Sequence, residues 1–108
     1  MAWWSRLRGE GPSRSRSESV SDPAASAAHF RHFITSRRGV EAYVEPATNV
    51  TATTVVLIAH DGEWTRRAFR SRPEAFDLAR GLGIPVYDVN LTGYPARMRA
   101  WTARQRRR

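Results

Sequence analysis

Residues 53–70 read TTVVLIAHDGEWTRRAFR, and the pair Asp61-Gly62 in their middle decides the fold. Before the pair, Thr53 to Ala59 is a nearly continuous β-branched and apolar run. Such a run suits a central strand covered on both faces. After the pair, Glu63 to about Arg70 returns as a more charged strand, which puts one of its faces, or a sheet edge, in water. Asp-Gly favours a two-residue type I′ turn, so His60 and Glu63 are expected to face each other across a hairpin.

Upstream, Val40 to Glu45 alternates, with Val40, Ala42 and Val44 on one face and Glu41, Tyr43 and Glu45 on the other. A helix precedes this strand. Asp22-Pro23 offers an N-cap and a first-turn proline, and Phe30, Phe33 and Ile34 recur at helical spacing. Gly39 after Arg37-Arg38 fits the position just past a helix end. Downstream, Ser71-Arg72-Pro73-Glu74 has the form of a capping box, with Ala75, Leu78, Ala79 and Leu82 as the apolar stripe and Gly81 or Gly83 as the stop. Ile84 to Val89 reads as a fourth strand and Asn90 to Gly93 as a turn. Tyr94-Pro95 opens a last helix with Tyr94, Met98 and Trp101 on one face. The order α-βββ-α-β-α predicts an α/β (α+β) class domain, a single small mixed sheet with helices packed on it. If the third and fourth strands are parallel, the helix between them makes a right-handed crossover.

The flanks differ in composition from this core. Residues 9–26, GEGPSRSRSESVSDPAAS, bury too little apolar surface to offset chain entropy. The expected organisation is a disordered tail over 1–26, a compact domain over 27–103 and a fraying arginine-rich end over 104–108. Trp3 and Trp4 stand in the tail beside Arg6 and Arg8. They are candidates for docking in a protein partner's pocket or for resting on a membrane surface, besides being plain solvated side chains.

Charge is concentrated at one end. Residues 1–28 carry four arginines against three acids, residues 29–89 eight against seven, and residues 90–108 six against none. All 18 basic residues are arginine, a bias that a GC-rich genome also produces. The distribution is what composition leaves unexplained. Arg97, Arg99, Arg104, Arg106, Arg107 and Arg108 are therefore the candidate nucleic-acid-binding residues, since arginine forks pair with phosphate oxygens and phosphate backbones attract such segments by counterion release. A solvated helix end is the other reading of the same residues.

Several chemistries are left without support. With no cysteine there are no disulfides, thiolate metal sites or thiol nucleophiles. No apolar run reaches the roughly 18 residues of a membrane span. His29 and His32 can share a helical face, and His60, Asp61 and Glu63 cluster at the hairpin, yet neither set supplies the three or four converging ligands of a metal site. The element order is also that of restriction-endonuclease-like cores. There Glu41, Glu45, Asp61 and Glu63 would be the acids, but the chain has no lysine to accompany them. Gly81-Leu-Gly83 ends a helix, whereas a dinucleotide cradle opens one. No catalytic residue, metal ligand or cofactor is assigned.

From Phe33 onward the chain resembles a family of small actinobacterial proteins of unknown function, often labelled oxidoreductase. The stretches Ser36 to Pro46, Val55 to Arg67, Ile84 to Val89 and Gly93 to Arg99 carry the likeness, which spans roughly residues 30–101. The resemblance implies a cytoplasmic bacterial setting and a single compact domain, and brings no catalytic residues. The expectation is a non-enzymatic module contacting RNA, DNA or a ribonucleoprotein. A protein-interaction or regulatory module and a small enzyme are the alternatives.

Overall fold

A meander of three antiparallel strands, joined by one parallel strand, forms the sheet. The computed structural model describes Val20 and residues 22–107. Its elements are α1 (Pro23–Ser36), β1 (Glu41–Glu45), β2 (Thr53–Ile58), β3 (Trp64–Phe69), α2 (Arg72–Arg80), β4 (Val86–Asp88), α3 (Val89–Thr92) and α4 (Ala96–Arg106). The sheet order is β3-β2-β1-β4, with β1–β2 and β2–β3 antiparallel and β1–β4 parallel. This is the small mixed sheet with packed helices that the element order predicts.

Helices cover both faces. On one, Val40, Ala42, Val44, Val55, Leu57, Ala59 and Phe69 pack against Phe30 and Phe33 of α1 and Ala75 and Ala79 of α2. On the other, Tyr43, Val56 and Ile58 pack against Met98 of α4, with Trp64, Tyr87 and Tyr94 around them. The alternation of β1 is as the sequence reads it. All six residues of β2 are buried, as a strand covered on both faces must be. β3 is an edge strand, and its first four residues are half-exposed. Val20 makes an isolated parallel bridge to Ala68 on that edge.

The hairpin differs from expectation by one residue. Ile58 pairs with Trp64, and the Ala59 N–H donates to the Glu63 carbonyl at 2.8 Å. The closing pair is thus Ala59 with Glu63, and the loop is the three residues His60, Asp61 and Gly62. The Gly62 N–H donates to the Ala59 carbonyl (2.9 Å), and Gly62 alone takes a positive φ, +96°. This is a turn closed by a glycine bulge, which places one residue in the left-handed region where a type I′ turn needs two. The Asp61 carboxylate accepts from the Glu63 N–H at 3.0 Å and fixes the return of the chain.

Other boundaries also move. α1 stops at Ser36, and Arg37 is extended. Ser36 Oγ donates to the carbonyls of His32 (2.7 Å) and Phe33 (3.2 Å), and Thr35 Oγ1 to that of His32 (3.1 Å). The hydroxyls take the helix's last carbonyls, and Gly39 (φ +61°) turns the chain into β1 instead of capping the helix. α1 begins at Pro23 and buries Ser26, so the folded part reaches ahead of residue 27. The expected turn at 90–93 is a one-turn helix whose N-cap, Asp88, accepts from the Asn90 N–H. α4 continues through Arg106, past the expected boundary at 103. β3 and β4 run in the same direction but form opposite edges, so α2 links them across the width of the sheet.

Candidate nucleic-acid interface

At about 100° per residue, α4 divides its side chains by direction. Met98, Trp101, Thr102 and Gln105 fall toward the sheet, and all are buried or half-buried. Arg97 and Arg104 lie on one flank, Arg99 and Arg106 on the other, and Arg107 points outward. The arginines of the C-terminal segment therefore do not form one basic face.

Arg97 is a structural clamp. Its Nη2 donates to Glu41 Oε1 at 2.7 Å and its Nε to the Ala59 carbonyl at 3.0 Å. The Tyr43 hydroxyl donates to the same Glu41 oxygen at 3.0 Å. Burial pushes the Glu41 carboxyl up, but the bonds from Arg97 and Tyr43 and the charge of Arg97 outweigh it and hold the group below its ordinary value. Burial, then the bond to Glu41, pushes the Tyr43 hydroxyl up to about 12. Arg97 thus ties α4 to the start of β1 and the end of β2.

The other arginines of α4 are freer. Arg104 Nη2 reaches the Asp61 carbonyl at 3.1 Å, and Arg99 Nη1 reaches the Tyr94 carbonyl at 3.3 Å; both side chains are exposed. Arg106 and Arg107 are exposed as well. Among the described residues, no carboxylate pairs with Arg99, Arg104, Arg106 or Arg107. Arg108, Trp3 and Trp4 lie outside the described residues, as does most of the 1–26 tail.

The fold adds two arginines that the charge distribution does not single out. α4 lies directly on the hairpin loop: a Cβ at Gly62 would stand 2.0 Å from the Arg97 carbonyl oxygen and 2.8 Å from Trp101 Cβ. From the other side, the His60 N–H donates to the Arg38 carbonyl at 2.8 Å. These contacts bring the α1–β1 connection, the hairpin loop and α4 to one end of the sheet. A groove of about 360 Å³ opens there, lined by Ser36, Arg37, Arg38, Ala59, His60 and Asp61. Arg37 is engaged, donating to Glu63 Oε2 (2.7 Å) and Ser36 Oγ (2.6 Å) while lying over the Phe33 ring. Arg38 is exposed, with no carboxylate partner among the described residues. No local spacing signals this neighbourhood; only the long-range pairing of loop, connection and helix creates it.

The acids weighed for catalysis have other occupations. Glu45, almost wholly buried, pairs with Arg66 at 3.3 Å and accepts from the Thr54 hydroxyl. Glu41 meets Arg97, Glu63 meets Arg37, and Asp61 holds the hairpin backbone. Glu45 and Asp88 end the neighbouring strands β1 and β4 but face opposite sides of the sheet, because Asp88 pairs in register with Val44. Asp88 meets Arg72 of α2 at 2.5 Å, and that bond, with the Asn90 N–H, keeps its carboxyl below the ordinary range. His29 Nε2 shares a hydrogen bond with Thr65 Oγ1 at 2.7 Å. Burial, then the charges of Arg67, His32 and Arg37, lower its pKa. Among the described residues, no three His, Asp or Glu side chains gather as a metal site, and no helix is long and apolar enough to cross a membrane. The glycines at 81 and 83 close α2.

Compared with protein families, curated proteins and solved structures, the chain matches none.

Proposed function

We propose that the protein is a non-enzymatic binding module that holds nucleic acid, free or within a ribonucleoprotein, by its phosphate backbone in a bacterial cytoplasm. One observation carries this reading: Arg99, Arg104, Arg106 and Arg107 project from α4 exposed and without a carboxylate partner among the described residues. Five carboxylates each meet an arginine, and of the α4 arginines only Arg97 is among those pairs, in a helix that carries no acid of its own. Such forks pair with phosphate oxygens and position a protein without reading bases. Arg97 belongs to this surface as a positioning residue, because its fork already holds Glu41 and the Ala59 carbonyl.

Removing Arg104 to Arg108 tests the reading. Affinity for single-stranded RNA and duplex DNA should fall uniformly across sequences, and the slope of log K against log salt should flatten. Each lost phosphate contact lowers that slope by about 0.7 for single strands and about 0.9 for a duplex. If the intact protein ignores both polymers at physiological salt and keeps its lysate partners after nuclease treatment, the reading fails. The arginines then meet an acidic protein surface or water alone.

A further inference from the structure

We infer that the groove between the α1–β1 connection and the hairpin loop is a seat for one phosphate group of the bound backbone, with Arg38 as its cationic wall and Arg104 bonded to the loop beside it. This inference rests on the phosphate-contact reading above and adds to it a position that the C-terminal charge does not include. The groove's volume, about 360 Å³, lies within the range of small-ligand clefts. The backbone of its rim is fixed before any ligand arrives. The His60 N–H is bonded to the Arg38 carbonyl, Gly39 turns tightly beneath His60, and Arg104 reaches over the loop to the Asp61 carbonyl. Arg37 lines the same groove with its terminal nitrogens on Ser36 and Glu63 and its buried Nε without an acceptor. A preformed cationic pocket of this kind binds an anion without reordering its backbone.

The opposing charge is specific. Asp61 lines the groove, and Glu63 neutralises Arg37 at its margin. The net attraction within the groove therefore comes from Arg38 against Asp61, so substitutions can move it in either direction. Arg38→Ala weakens the seat. Asp61→Asn keeps an oxygen for the Glu63 N–H, removes the like charge, and should tighten anion binding by about two- to fivefold, the usual range for a single surface charge interaction.

Two probes separate a free anion from the backbone. In the first, inorganic phosphate is titrated into the full chain while the amide resonances of Gly39, His60 and Gly62 are followed, with Thr51 and Gly93 at the opposite end of the sheet as controls. Saturable shifts at the first three, lost in Arg38→Ala and reached at lower phosphate in Asp61→Asn, are expected. In the second, the salt slope is measured for a 12-nucleotide single-stranded RNA, and Arg38→Ala should lower it by about 0.7. Phosphate shifts with an unchanged RNA slope would overturn the backbone assignment and make the seat one for a free phosphate-class anion. Absent phosphate shifts and an unchanged slope, while removal of Arg104 to Arg108 still flattens it, would overturn the groove and leave the proposed function standing. Phosphate shifts in a protein that binds no RNA or DNA would sink the proposed function instead.

Discussion

Gly62→Ala should be far more damaging than Gly83→Ala, although both glycines have a positive φ. Gly83 (φ +76°) has nothing within 4 Å of where a Cβ would stand, so alanine there costs only the backbone conformation, about 1–2 kcal/mol. Gly62 (φ +96°) carries that cost and a second one. Its Cβ would fall 2.0 Å from the Arg97 carbonyl oxygen and 2.6 Å from the carbonyl carbon, both backbone atoms of α4. Neither can move unless the helix moves. Lifting α4 loosens the packing of Met98 on Val56 and Ile58 and strains the Arg97 clamp on Glu41. Exposing one large apolar side chain costs up to about 1.5–3 kcal/mol, so the total for Gly62→Ala reaches about 2.5–5 kcal/mol. Urea unfolding followed by circular dichroism measures both variants. The 1–2 kcal/mol of Gly83→Ala corresponds to roughly 4–16 °C in Tm for a domain of this size, and Gly62→Ala should fall well beyond that. Gly62→Asn sharpens the comparison, since asparagine tolerates the left-handed region but keeps the Cβ; it should be nearly as damaging as alanine. Equal losses in Gly62→Ala and Gly83→Ala, within about 0.5 kcal/mol, would refute the close seating of α4 on the loop.

Arg97→Ala should cost about 1–3 kcal/mol of stability, because it leaves Glu41 and the Ala59 carbonyl short of a donor; chemical denaturation checks it. In the native protein Glu41 is held below its ordinary pKa, so its contribution is present above about pH 4.5 and is lost as pH falls through the lowered value; Arg97→Ala should shrink that acid-side loss. His29 is lowered from 6.5, so its neutral form stabilises the fold above pH 6.5, and this is lost as pH falls through the window between 6.5 and the lowered value. His29→Gln should therefore show a smaller drop in Tm between pH 7.5 and 5.5 than the parent.

The hairpin shows why part of the fold was legible and part was not. Asp-Gly after an apolar run announces a reversal, and the reversal is there. Whether the loop holds two residues or three decides which face every β3 side chain takes, because a one-residue slip flips them all. β3 cannot arbitrate: Trp64, Arg66 and Ala68 alternate with Thr65, Arg67 and Phe69, so each face offers one aromatic and one arginine. Only the pocket around Phe30 chooses, and it takes Phe69. β1 could be read because its two faces differ in kind, three small apolar residues against two acids and a tyrosine. The site follows the same rule. The excess of arginine in residues 90–108 is visible in composition, but the diversion of Arg97 depends on Glu41, fifty-six residues earlier. The membership of Arg38 depends on a loop that approaches it only in the folded chain.

A structural explanation for the α4 arginines competes with phosphate binding, and Arg99 separates the two. Cations in the last helical turn are favoured by the helix macrodipole, which alone could account for Arg104 and Arg106. The same dipole disfavours cations in the first turn, where Arg97 and Arg99 stand with no acid beside them in the helix. Glu41 compensates Arg97, whereas Arg99 has only the Tyr94 carbonyl at 3.3 Å. A cation kept where the helix disfavours it serves the fold poorly. Arg99→Glu should therefore stabilise the protein by about 0.5–1 kcal/mol at low ionic strength, with the gain screened away by salt. If Arg99 contacts phosphate, the same variant should bind RNA more weakly and flatten the salt slope by about 0.7 or more. Stability gained with binding lost is the signature of a residue retained for function. Stability gained with RNA affinity unchanged would remove Arg99 from the interface and confine the phosphate contacts to Arg38 and the last turn of α4.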